Sequence, residues 1–163
     1  MFFQNEENLR FFLRSGIYNG TYRLIPGSGV NTSEYSYKEY PSNDENVKFL
    51  YLGRVMREKG IEEYLECADN VKRLYPSAEF HIAGWVEDEE YEDRLRNLTK
   101  VGDVEYHGWH KDVIGFLESA HAVVSPSYHE GMSNVLLESA STGRPVIASN
   151  IPGCRETFED GVS

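Results

Sequence analysis

The sequence predicts an α/β domain built on a doubly wound parallel sheet, and three observations predict it. From about residue 47 onward, short apolar runs alternate with longer amphipathic stretches. The apolar runs lack the every-second-residue polarity of a sheet with one wet face, so both of their faces are expected to be covered by helices. With 40% hydrophobic and 13% aromatic residues among 163, the chain can bury a core of single-domain size.

Taken in order, residues 8–17 read as a short helix. Residues 23–41 (RLIPGSGVNTSEYSYKEYP) are rich in Gly, Pro and Ser and read as a connection between domains. A strand at 47–53 (VKFLYLG) ends in glycine. Residues 60–75 carry Ile61, Tyr64, Leu65, Ala68, Val71 and Leu74 at helical spacing, closed by Pro76. A second strand, 79–84 (EFHIAG), precedes a charged helix at 87–101 with Tyr91, Leu95 and Leu98 inward. The acidic start of that helix suits the positive end of its dipole and carries no functional weight. A strand at 104–108, a helix at 112–119, a strand at 122–127, a helix at 133–142 and a strand at 145–149 complete the alternation. Residues 159–162 read as a turn entering a further strand, so both ends of the chain look cut. In such a sheet, ligands bind beyond the carboxyl ends of the strands, in the loops after Gly53, Gly84, Gly108, Ser127 and Ser149.

The formal net charge of −11 disfavours nucleic acid and anionic lipid as partners. A local anion pocket survives this average, because it needs only one or two cations and some backbone amides. Cys67 and Cys154 are far apart and form no CxxC pair, which reads as a core thiol and a loop thiol in a reducing compartment rather than a disulfide or metal site. No charged-then-apolar leader follows Met1, and no apolar run reaches the roughly 20 residues that span a bilayer. The expectation is a soluble, cytoplasmic chain.

Residues 128–138 read YHEGMSNVLLE, directly after a strand and opening a helix. Gly131 permits a tight turn, and the amides of Ser133, Asn134 and Val135 are expected to form an anion-binding helix N-terminus. Leu136, Leu137 and Ala140 form the expected core stripe, leaving Asn134 and Glu138 together on another face. Glu130 and Glu138 lie roughly 12 Å apart along the axis, bracketing the anion site. A nucleotide sugar fits that arrangement, with sugar hydroxyls near Glu130, diphosphate at the helix start and ribose near Glu138. The bland alternative makes Ser133 an N-cap and Glu138 a solvated residue. In the loop after the first long strand, Arg54 offers a planar fork and Lys59 a point charge, both suited to a diphosphate. Arg57 reads as ordinary surface charge.

These segments (LYLGRVMREKG, HIAG, VEYHG and SAHAVVSPSYHEGMSNVLLESASTGRPVIASNIPGCRETFEDGVS) resemble the C-terminal, Rossmann-like domain of retaining GT-B-fold glycosyltransferases, the group with an E-x7-E motif known as glycosyl transferases group 1. The resemblance runs from about residue 47 to the end. FFQNEENLRFFLRSGI and IPGSGVN resemble the tail of the preceding acceptor domain and the interdomain linker, so residues 1–45 are expected to be that tail and linker and 46–163 the nucleotide-sugar-binding domain, lacking its last strand and closing helices. Within the group, the chain is most similar to enzymes of capsular or other surface polysaccharide synthesis.

The resemblance implies roles by position. Glu130 contacts the donor sugar, and Gly131, Met132, Ser133 and Asn134 contact sugar and phosphate. Glu138 holds the ribose hydroxyls, while Arg54 and Lys59 neutralise the diphosphate leaving group. Trp109 or His110 contacts the base, with core packing of Trp109 as the alternative. No cofactor or metal is implied, since cations replace the metal. The sugar is transferred with retention from a nucleoside-diphosphate sugar to a glycan or lipid-linked acceptor. Glu130 is not assigned as a nucleophile, and His129 shapes the loop. A full enzyme, peripheral at the inner face of the membrane, needs an acceptor domain, in the same chain or supplied by a separate one, so this chain alone is expected to bind donor weakly or not at all and to turn over negligibly. The competing reading is a non-catalytic nucleotide-sugar-binding module or split-gene partner. A phosphoacceptor receiver would want acidic residues after the first long strand, where Gly53 and Arg54 stand, and the E-x7-E arrangement argues against a sugar-nucleotide epimerase.

Overall fold

The computed structural model describes residues 1–42 and 46–159. Residues 43–45 of the expected connection, and the expected turn beyond Glu159, lie outside the described residues. The chain begins with strand β1 (Phe2–Phe3), helix α1 (Glu6–Arg14) and strand β2 (Arg23–Leu24), the two short strands pairing in parallel. Helix α1 starts two residues before the expected position because Asn5 caps it. The Asn5 Oδ1 accepts from the Asn8 amide at 2.8 Å, and Glu6 and Glu7 fill the first turn.

The main domain follows as β3 (Lys48–Leu52), a 3-10 turn (Arg57–Lys59), α2 (Ile61–Leu74), β4 (Glu79–Ala83), α3 (Glu89–Val101), β5 (Glu105–Gly108), α4 (Ile114–Ser119), β6 (Ala122–Ser125), α5 (Asn134–Ser141), β7 (Val146–Ala148) and a 3-10 turn (Arg155–Thr157). Strands β3 to β7 form one parallel sheet in the order β5-β4-β3-β6-β7. The doubly wound expectation holds, and each strand and helix expected between residues 47 and 149 appears, shortened by one or two residues in all. Two cores lie on opposite faces. Tyr51, Phe80, Ile82 and Val104 pack against Ile61, Tyr64 and Leu65 of α2 and Leu95 of α3. Leu50, Ala83 and Val123 pack against Leu117 of α4, with Val135 of α5 alongside. The alternation of Leu50 and Tyr51 between the two cores explains why the strands show no polar face.

Two residues depart from the expected core. Leu74 ends α2 where the chain turns away at Pro76, and it is 76% exposed. In α5 the buried pair is Leu136 and Ser139, while Ala140 faces out. Ser139 fits there because it is small and its hydroxyl already donates to the Val135 carbonyl at 2.6 Å. Arg144 is 2% exposed, a burial that its charge does not foretell. Its guanidinium donates to the carbonyls of Lys38 and, at 2.8 Å, Glu39, and it lies 5.4 Å from the Tyr40 ring centroid, pinning the connecting segment to the domain. Among the described residues, no helix is long and apolar enough to cross a membrane.

The sheet order locates the site. The chain winds from β3 outward through β4 to β5, then returns to the other side of β3 for β6 and β7. The carboxyl ends of β3 and β6 are therefore the topological switch point, where loops diverge and leave a crevice.

Candidate functional site

The loops after β3 and β6 meet at that crevice. The Tyr128 amide donates to the Glu58 carbonyl at 3.0 Å, which ties the two loops together. Lys59 and Glu130, expected to serve the diphosphate and the sugar, form an ion pair at 2.7 Å, and Lys59 Nζ also donates to the His129 carbonyl at 3.1 Å. Both side chains are less than one-fifth exposed, so the pair is held away from bulk solvent. Arg54 is exposed and lines the same cavity of about 830 Å³ with Lys59, His129, Glu130 and Gly131. The Tyr51 hydroxyl donates to the Arg54 carbonyl at 2.7 Å and fixes the start of that loop; burial holds its pKa well above the ordinary value.

A smaller adjoining cavity of about 230 Å³ brings Arg54, Lys59, Glu130, Met132, Ser133 and Asn134 together at the start of α5. The structure changes which amides are free there. The Ser133 amide donates to the Gly153 carbonyl at 2.8 Å, and the Ser133 hydroxyl makes no capping bond. The amides left to face a ligand at the start of α5 are therefore those of Asn134 and Val135, and Ser133 is a buried support. Gly153 makes this possible. It adopts a φ of +84°, and a Cβ there would lie 2.7 Å from the Glu130 carbonyl oxygen.

The amino-terminal segment completes the loop. Asn5, 2% exposed, donates through Nδ2 to the carbonyl of Gly131 at 2.9 Å and approaches that of Glu130 at 3.3 Å. The Gln4 side chain covers Gly131, Met132 lies over Gly27, and Ser28 Oγ donates to Asn134 Oδ1 at 3.1 Å. The composition of residues 1–45 carried no sign of this latch, although an asparagine before two glutamates is a legible N-cap. Beneath the loop lies Cys154, whose thiol burial pushes up to about 11, keeping it a neutral core group. Cys67 is exposed on α2.

Other expected residues lie apart. Trp109 is exposed and lines a separate cavity of about 750 Å³ with Trp85, Tyr106 and His107, beyond β4 and β5. His110 faces away, its Nε2 3.0 Å from the His107 carbonyl and its ring against Phe116. Glu138 sits further along α5, half-buried and hydrogen-bonded by the Tyr35 hydroxyl from the connecting segment. Burial raises its pKa, and the Tyr35 bond opposes that only in part.

The Glu138 shift has a stability consequence. The folded chain holds this proton to higher pH than the unfolded chain, whose carboxyl titrates near about 4.3, so ionised Glu138 costs stability above that range. Glu138→Gln, which keeps the bond from Tyr35, is expected to melt at a higher temperature than wild type at pH 7. The gain should shrink as pH falls toward about 4, where the wild-type carboxyl is protonated too. Thermal melts across that range check it.

Comparison with solved structures supports the fold. HepE from Anabaena, solved with UDP and glucose, matches with a TM-score of 0.79 at 21% identity, over 99% of this chain and 47% of that one. The pneumococcal O-GlcNAc transferase GtfA, solved with UDP and GlcNAc, matches with a TM-score of 0.72 at 18% identity, over 98% of this chain and 32% of that one. Sucrose-phosphate synthase from Thermosynechococcus elongatus matches with a TM-score of 0.74 at 24% identity, over 94% of this chain and 41% of that one. The chain thus spans less than half the length of these three proteins, and its fold is that of the Rossmann-like C-terminal half of a GT-B fold. Comparison with curated protein sequences gives no match. The family described as Glycosyl transferases group 1 matches residues 46–163, most of the chain, and the chain belongs to that family.

Proposed function

We propose that this chain is the donor-binding part of a retaining glycosyltransferase, taking a nucleoside-diphosphate sugar and serving transfer to a glycan or lipid-linked acceptor in surface polysaccharide synthesis. The observation that carries the reading is the meeting of Lys59, Arg54, Glu130 and the open end of α5 in adjoining cavities at the switch point of the sheet. HepE and GtfA hold UDP and a sugar in their own structures, which supports a nucleotide-sugar ligand for this fold.

In this reading, the diphosphate lies against the Asn134 and Val135 amides, with Lys59 and Arg54 supplying positive charge as the sugar–oxygen bond breaks. Glu130 orients the sugar hydroxyls while holding Lys59 in place. Glu138, with Tyr35 beside it, accepts from the ribose diol. Trp109 serves the base only where the donor reaches past β4 toward the outer cavity. No metal is assigned to the transfer step, because two cationic side chains already stand at the leaving group. Residues 1–45 act as the tail of the acceptor-binding domain and the linker. The exposed Phe2, Phe11, Ile17 and Leu24 support that role, since they present apolar surface for another domain to cover. Without that domain the chain binds donor weakly and turns over negligibly.

Titration calorimetry of the chain against a panel of nucleoside diphosphates and their sugars tests this. The expected result is one weak site, with Kd on the order of 1 mM, further weakened by Arg54→Ala and Glu138→Ala. Binding that ignores both substitutions, or measurable transfer by the isolated chain, contradicts it.

A further inference from the structure

Away from the donor crevice, strands β4 and β5 place two histidines and a glutamate on one face of the sheet. His81 is the register partner of Glu105, and His107 follows two residues later, with a register shift between Ile82 and Ala83 that draws it toward His81. The His81 Nδ1 lies 3.0 Å from His107 Nε2 and 3.1 Å from Glu105 Oε2, and His107 Nε2 lies 3.9 Å from that same oxygen. The two rings are stacked, 2° from parallel.

Ligands held about 2.0–2.1 Å from a tetrahedral ion stand about 3.3 Å from one another. The three donor atoms already form a triangle of that size. We propose that His81, Glu105 and His107 form a binding site for a divalent d-block cation of the Zn²⁺ type, with water at the fourth position. Two imidazoles and one carboxylate are a donor set such ions accept.

The surroundings of His81 support the assignment. On the far side of its ring, Glu79 Oε2 lies 3.3 Å from His81 Nε2, and Glu79 is itself held by Asn46 at 2.9 Å. This is the carboxylate–histidine–metal arrangement that fixes the tautomer of a ligating ring, with the proton on Nε2 and the lone pair of Nδ1 aimed at the ion. The Nδ1 of His81 faces both Glu105 Oε2 and His107 Nε2 while its Nε2 faces Glu79, so an ion at Nδ1 would engage all three donor atoms on one side and leave the Glu79 contact intact. The carboxylate of Glu105 is 62% exposed and leaves a path for the ion to enter. Because β5 runs directly into Gly108, Trp109 and His110, the ion would clamp the outer strand to β4 just ahead of that loop.

The test is titration of the chain with Zn²⁺, and with Co²⁺ as a spectroscopic probe, in competition with a chromophoric chelator. The expected result is one bound equivalent, a tetrahedral-type Co²⁺ spectrum and a higher Tm with Zn²⁺. Affinity should fall by about tenfold or more in His81→Gln and His107→Gln and stay unchanged in His129→Ala. Imidazole NMR of the wild-type chain needs no variant: Zn²⁺ should shift the His81 and His107 ring signals and leave His129 in place. Absence of a stoichiometric site, or shifts confined to other histidines, overturns the proposal.

Discussion

Gly84→Ala is expected to destabilise the domain by about 3 kcal/mol, the upper range for forcing a methyl into a filled site. A Cβ at Gly84 would lie 1.7 Å from the Gly53 carbonyl oxygen and 2.8 Å from its carbon. Both atoms are backbone, so no rotamer change relieves the clash. The peptide is also clamped on its other side, where the Gly84 amide donates to the Gly108 carbonyl at 2.8 Å, and next to it the Gly53 amide donates to Ala83 at 3.1 Å. Moving Gly84 away from β3 therefore drives it into β5. Gly115→Ala, in open space within α4, is expected to be neutral or stabilising by about 0.5 kcal/mol. Denaturant unfolding of the two variants checks the contrast, and equal stabilities would contradict the close approach of the strand ends.

Lys59→Ala is expected to weaken nucleoside-diphosphate binding by about tenfold to a hundredfold, from the loss of a charge-assisted bond worth about 1.5–3 kcal/mol. Two effects add. The variant removes a cation from the pocket, and it leaves Glu130, now without its 2.7 Å partner, as an uncompensated negative charge facing an anionic ligand. Arg54→Ala removes charge without exposing a carboxylate, so its effect should be smaller. Glu130→Gln frees Lys59 for phosphate and is expected to keep or raise diphosphate affinity while lowering affinity for the sugar portion. NMR-detected titration with a nucleoside diphosphate and with its sugar separates these outcomes.

The order of elements was legible because it rests on local signals. Glycine-terminated apolar runs mark β3, β4 and β5, and the spacing of Ile61, Tyr64, Leu65 and Ala68 marks α2 and its buried face. Where a prediction needed the final packing, it slipped. Leu74 continues the stripe by spacing but falls beyond the sheet, and Ser139 replaces Ala140 in the core because helix rotation, not hydropathy, decides which small residue faces inward.

The site followed the same division. Glu130, Lys59, Arg54, Met132, Ser133 and Asn134 were legible from motif and strand position, and the fold gathers them. The occupied Ser133 amide depends on a carbonyl 20 residues downstream, at Gly153. The Asn5 latch joins positions 125 and 126 residues apart, and the Tyr35 contact with Glu138 depends on the path of a connection without regular structure. The cluster of His81, Glu105 and His107 has no ligand-like spacing along the chain, since strand register creates it.

In the proposed function, phosphate binds at the start of α5, opposite Lys59. Backbone amide NMR of the chain during addition of a nucleoside diphosphate tests it most directly. The largest shifts are expected at Asn134 and Val135, with Lys59 and Gly131 following and the Ser133 amide, already bonded to Gly153, moving less. Shifts centred on β4, β5 and Trp109, with α5 unmoved, would contradict it.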